Sequence, residues 1–108
     1  MVVDAVSGVE IGLEPAPAGL APPTPNPATA RVEFSFHLNQ PGQVRLLVCD
    51  VRGRLVTGWQ TTEASAGDRR IAWDFRDREG RSVAPGRYFV KLETDGYSVT
   101  RSLIHLPG

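Results

Sequence analysis

The sequence is poor in the residues that usually announce chemistry or a cross-link. Cys49 is the only cysteine among 108 residues, so no disulfide can form within the chain and stability must come from packing. His37 and His105 are the only histidines, and with one thiol they make no paired zinc-ligand spacing. Lys91 is the only lysine, and 12 basic residues balance 12 acidic ones. Such a balance sets up no broad field for nucleic acid or an anionic membrane. Six arginines fall between Arg69 and Arg87, but Asp68, Asp74, Asp77 and Glu79 are interleaved with them. That is a mixed-sign solvated face. No apolar run is long enough to cross a bilayer, so membrane insertion is not expected. The opening MVVDAVSGVEIGL has neither a basic start nor a continuous apolar stretch. It does not read as a secretory leader, and an exported protein would carry that signal upstream of this chain.

Proline is plentiful and unevenly spread, with six of nine between Pro15 and Pro27. Each proline lacks an N–H and fixes φ, so PAPAGLAPPTPNPATA reads as an extended, polyproline-like linker unable to form a regular ladder. Before it, VEIGLE at 9–14 alternates Val9, Ile11 and Leu13 with Glu10, Gly12 and Glu14, a weak period of two. The expected organisation is a tail and linker over 1–21, with a possible short strand at 9–14, and one module over 22–108.

From Arg31 onward the alternation is clear. Val32, Phe34, Phe36 and Leu38 share one face of RVEFSFHL, and Val44, Leu46 and Val48 share one face of QVRLLVCD. Leu47 and Cys49 make the other face of that second strand partly apolar, as though half covered. Leu55, Thr57 and Trp59 share a side of RLVTGWQ, and TTEASAGD reads as a polar loop. Ile71, Trp73 and Phe75 point inward from RRIAWDF, as do Tyr88, Val90 and Leu92 from GRYFVKLE. Asp95-Gly96 favours a two-residue hairpin turn into YSVTRSLIHL. No window has a helical period. The pattern predicts an all-β fold, a seven-stranded antiparallel β-sandwich.

WDFRDREGRSVAPGRYFVKL, residues 73–92, interrupts the strands with glycine, proline and charge. Asp74, Asp77 and Glu79 raise the question of a metal loop. Calcium loops place oxygens at alternate positions before a glycine, whereas the spacing here is three and then two. Arg76, Arg78 and Arg81 also compete for the carboxylates. A corner is the simpler reading. Asp77 caps a turn, Gly80 supplies a positive φ, and Pro85-Gly86 makes a second tight turn.

The same stretch resembles the W-D-G-x-D-x-x-G-x-x-V-x-x-G-x-Y pattern of the immunoglobulin-like domain of flagellar hook-capping proteins. Related modules close many secreted bacterial proteins, including the type A C-terminal sorting domain of the type IX secretion system. PTPNPATARVEFSF is similar to the family's P-N-P approach to its first strand. GQVRLLVCDVRGRLV resembles the pattern G-x-V-x-L-x-V-Y-D-x-x-G-R-x-V, and TRSLIHL resembles the terminal T-x-K-L strand. The likeness covers 22–106. Cys49 departs from the family's usual Tyr or Phe, and Ser102 with the final HLPG departs from the basic end of sorting domains.

The resemblance implies structural roles only. Asn26 fixes the lead-in, Asp50 and Gly53 make the turn after the second strand, and Trp73, followed by Asp74, fills the core. Asp77 and Gly80 make the corner, and Gly86 and Tyr88 start the next strand. It implies no enzyme, no catalytic residue, no cofactor and no metal. The expected role is an export or surface-attachment address, or an accessory domain, of a larger secreted or cell-surface protein. Its partners would be proteins of the secretion or surface machinery. The alternative is a self-assembling structural subunit of an extracellular appendage that pairs edge strands with copies of itself.

Two further candidates come from residue types alone. Ser35 lies two residues before His37 on one face, as a nucleophile and base would, but no third group is in view to orient the imidazole. His37 is therefore expected to be a plain outward strand residue. Cys49 is expected to be a small buried side chain rather than a reactive thiol.

Overall fold

A computed structural model describes residues 16–108, so the strand expected at 9–14 lies outside the described residues. Seven strands follow in order: β1 (Ala18–Leu20), β2 (Val32–Leu38), β3 (Gly42–Asp50), β4 (Leu55–Glu63), β5 (Gly67–Trp73), β6 (Gly86–Thr94) and β7 (Tyr97–His105). They form two antiparallel sheets, β1-β2-β5 and β4-β3-β6-β7. This is the predicted all-β sandwich.

Alternation decides what lies between the sheets. Phe34 opposes Ile71 and Val32 opposes Trp73 in one sheet, while Leu46 opposes both Trp59 and Leu92 in the other. Side chains of period two on each strand therefore meet in a single layer. Phe34, Val48, Val90 and Leu92 are fully buried there. Trp73 is the hub. Its ring centroid lies 4.9 Å from Phe75, 5.6 Å from Tyr88 and 6.4 Å from Phe34. Two arginines close the open sides. Arg69 of β5 donates Nε to Glu63 of β4 at 2.7 Å, and Arg101 of β7 donates Nε to the Leu20 carbonyl of β1 at 2.9 Å.

The structure corrects the sequence reading in five places. First, Ala18–Leu20 pairs with Phe36–Leu38 inside the segment read as an irregular linker. These three residues all carry N–H donors. Pro17 and Pro22 flank them on an edge strand, where a missing donor costs nothing. Ala18 and Leu20 are buried, so the sandwich begins before residue 22. Second, the polar loop is shorter than expected, because Thr61–Glu63 pair with Gly42–Val44 and Gly67–Asp68 pair with His37–Leu38. Third, Phe75 lies beyond β5 with φ 61°, yet its ring stays in the core. Fourth, a register shift beside Val48 and Cys49 leaves Leu55 outward and lets Val56 pack on the core instead. Fifth, Cys49 is half-buried on the outward side of β3 rather than enclosed.

Candidate functional site

The densest polar construction lies at the end of the sandwich where β3 turns into β4. After β3 the chain reads Asp50-Val-Arg-Gly53-Arg54, and at the corner after β5 it reads Asp77-Arg-Glu-Gly80-Arg81. Both stretches fold into the same turn. Asp50 Oδ1 accepts the N–H groups of Arg52 and Arg54 at 2.9 and 3.0 Å, and Oδ2 accepts Arg54 Nε at 2.9 Å. Asp77 Oδ1 accepts the N–H groups of Glu79 and Arg81, both at 2.9 Å, and Oδ2 accepts Arg81 Nε at 3.2 Å. Gly53 and Gly80 have φ of 80° and 82°, which an L side chain adopts only at a cost.

These bonds set the electrostatics. The Arg54 backbone N–H, helped by that of Arg52 and by the Arg54 guanidinium, holds the Asp50 carboxyl below its ordinary range. The Arg81 and Glu79 backbone N–H groups do the same for Asp77. The two turns border one cleft of about 360 Å³ together with Tyr88, and the Arg78 N–H joins them through the Val56 carbonyl at 3.2 Å. Burial, and secondarily the charge of Asp50, pushes the Tyr88 phenol up. Its hydroxyl donates to the Ala84 carbonyl at 2.5 Å.

The other residues singled out from the sequence are spread around this frame. Asn26 lies at the β7 edge, accepting the Ile104 N–H at 2.9 Å and donating to the Ser102 carbonyl at 3.4 Å. Trp73 donates Nε1 to the Arg76 carbonyl at 2.8 Å, tying the core to the corner. Asp74 is exposed, 3.6 Å from Arg76 Nε. Gly86 opens β6 with φ 147°. Asp74, Asp77 and Glu79 do not converge, and among the described residues no three His, Cys, Asp or Glu side chains gather as a metal site requires. The sequence signal that went unused is the repetition of D-x-x-G-R, which marks both turns as one motif.

His37 corrects another expectation. The pairing of β2 with β5 sets Asp68 opposite His37, and His37 Nδ1 lies 2.7 Å from Asp68 Oδ1. The missing orienting group is thus present, supplied by a strand 31 residues away. Ser35 faces Arg70 instead, and no hydrogen bond among the described residues joins it to the imidazole. The pair stands on an open sheet face beside a groove of about 660 Å³, with Asp68 89% exposed. An acid and an imidazole in that setting orient each other but activate no nucleophile.

Among solved structures, the chain is similar to dimeric latent PorU from Porphyromonas gingivalis, with a TM-score of 0.72 and 22% identity over 94% of this chain and 10% of that one. It is also similar to FlgD from Xanthomonas campestris, with a TM-score of 0.56 and 22% identity over 83% of this chain and 62% of that one. FlgD from P. aeruginosa gives a TM-score of 0.55 and 25% identity over 70% of this chain and 59% of that one. The chain thus spans about a tenth of PorU and about three fifths of the FlgD proteins. No curated protein matches it in sequence. The family model of the FlgD Ig-like domain matches residues 25–97, which hold Asn26, both D-x-x-G-R turns, Trp73 and Tyr88. On that match the chain belongs to the FlgD Ig-like domain family.

Proposed function

We propose that this chain is a non-catalytic immunoglobulin-like module of a larger secreted or cell-surface protein, serving as an export or surface-attachment address or an accessory domain. The observation that carries this reading is a ratio of lengths. Nearly the whole chain superposes on PorU while accounting for only a tenth of it, as one module of a longer protein would. The polar residues support the same reading. Asp50, Asp77 and Asn26 are engaged by backbone N–H groups of turns and strand ends, the use a structural side chain makes of its polar atoms. In this reading Asn26, Asp50, Gly53, Trp73, Asp77, Gly80, Gly86 and Tyr88 are structural, and the partners are proteins of a secretion or surface apparatus.

The test is to fuse the chain to an exported reporter in a host that carries the matching machinery. The reporter is expected at the cell surface, and a reporter left in the periplasm despite a folded module would refute the address role. The second reading, a self-assembling subunit, draws on the FlgD likeness, since FlgD from Xanthomonas campestris is described as capping the flagellar hook. Three of the four sheet edges are interrupted against strand addition. β1 is short and flanked by prolines, Asn26 and Ala28 bond to β7, and Arg78 takes the Val56 carbonyl of β4. Light scattering distinguishes the two readings, with a monomer favouring the address.

A further inference from the structure

β5 supplies the fourth sheet edge, and part of it is open. Glu33 and Ser35 turn their backbone groups toward the β1 side, where the Ser35 carbonyl accepts the Ala21 N–H at 2.9 Å and Glu33 exchanges bonds with Thr24 at 2.7 and 3.1 Å. Alternation then turns Phe34 and Phe36 toward β5, and their partners Ile71 and Arg69 back toward β2. Asp68, Arg70 and Ala72 are left with N–H and C=O groups on the free edge. The Asp68 carbonyl is covered, because Arg69 Nη1 donates to it at 3.1 Å while Nη2 donates to the Ser65 carbonyl at 2.9 Å. Arg70 and Ala72 have no backbone partner on that side among the described residues. The open part of the edge borders a cleft of about 580 Å³ whose lining includes Arg31, Thr57, Trp59, Ala72, Arg76 and Arg78. One wall is apolar. Trp59 is half-buried, 6.2 Å between centroids from Phe34, and Ile71 on the inner side of β5 is half-buried too. The rim is cationic. Asp74 lies 3.6 Å from Arg76, and Asp77 and Glu79 pair with Arg81, so Arg31 and Arg78 have no carboxylate partner among the described residues.

We infer that this edge and cleft bind a short extended segment of a protein partner in which acidic residues alternate with apolar ones. Arg70 and Ala72 exchange ladder bonds with its backbone, as in strand addition, and Arg69 ends the ladder at Asp68. Side chains of an added strand alternate between the two faces of the sheet. Those turned inward meet Trp59 and Ile71, where an apolar group completes a burial that the core leaves unfinished. Acidic groups turned outward meet Arg70, whose Glu33 partner is 4.0 Å away, and the guanidiniums of Arg31 and Arg78 at the rim. The same edge of a second copy fits less well. Antiparallel pairing of two β5 strands centred on Arg69 or Arg70 sets arginine against arginine, and centring it on Ile71 sets Asp68 against Asp74. The inference rests on the reading of the chain as a module that binds protein partners.

Binding is read on the full chain, labelled with nitrogen-15, by titrating in a blocked hexapeptide of alternating glutamate and valine. The amides of Arg70 and Ala72 and the Trp59 indole N–H are expected to shift saturably, with a dissociation constant of about 1 mM or tighter. The Leu92 amide, in the centre of the other sheet, should not move. Arg31→Glu/Arg78→Glu is expected to weaken binding about tenfold or more. A peptide of alternating lysine and valine should give no saturable shift, and neither should the glutamate peptide with its backbone N-methylated, which keeps the charge but loses the ladder. Equal shifts with the lysine peptide, or none at Arg70 and Ala72 with the glutamate peptide, overturn the inference. Shifts of the same amides on raising protein concentration without peptide also overturn it and assign the edge to a second copy. If the double arginine variant unfolds, the N-methylated peptide on the unaltered chain decides. A reporter carried to the surface by a module that ignores the glutamate peptide would sink this inference alone and leave the address role standing.

Discussion

Asp50 and Asp77 hold the same set of hydrogen bonds on two sides of one cleft. Each carboxylate receives the backbone N–H groups two and four residues ahead and the guanidinium of the arginine four ahead. The repetition means that one physical device, used twice, closes the end of the sandwich.

The device has a pH signature. Both carboxyls are held below their ordinary range by backbone N–H groups in the fold. Their contribution is therefore complete above the unfolded-state pKa near about 4 and is lost as pH falls through the folded-state value. Glu63, held down by Arg69, and Glu93, held down by Arg45 and Lys91, act in the same direction. Thermal melts should be nearly flat from neutral pH to about 5 and should fall below about 4. Asp50→Asn/Asp77→Asn should melt lower at neutral pH and lose less on acidification. An acid slope equal to that of the unaltered chain would refute the assignment.

Calcium should not matter. Three donors already occupy Asp77, and Asp74 points to Arg76. Millimolar calcium is expected to leave the melting temperature unchanged, and Asp74→Asn and Glu79→Gln should have little effect. A strong rise in melting temperature that Asp77→Asn abolished would make the corner a metal site.

Trp73 joins three aromatic neighbours to the corner. Trp73→Ala should cost roughly 3–5 kcal/mol in denaturant unfolding, a large part of the 5–15 kcal/mol typical of a whole domain. Trp73→Phe keeps part of the packing and loses the bond to the Arg76 carbonyl, so it should fall between. A loss below about 1 kcal/mol for the alanine variant would contradict its place at the centre of the core.

Asn26 acts at a distance of 78 residues, on the Ile104 N–H. Asn26→Ala leaves that exposed donor to water and should cost about 0.5–1.5 kcal/mol. Hydrogen exchange offers a sharper readout. The Ile104 amide should exchange faster in the variant, while the Leu92 amide in the centre of the sheet keeps its protection. Uniform acceleration across both strands would mean that the loss is global rather than at the latch.

The all-β class, the long strands and the inward faces of β2, β3 and β6 were legible in the sequence, because side-chain alternation is a local property with a period of two. The turns were legible for a similar reason. Asp77 and Gly80 lie three residues apart, and the bonds they need are to the next few N–H groups. Which strands pair was not local. Only that pairing set Asp68 against His37, passed the Asn26 side chain to β7, and gave Ala18–Leu20 a ladder despite the surrounding prolines. The register shift beside Val48 and Cys49 turned Leu55 outward, and adjacency of β3, β4 and β6 gathered it with Cys49 and Phe89. Local preference dictates the strands themselves, but the energy that selects their neighbours comes from burying faces distant in sequence, and only the assembled sandwich contains it.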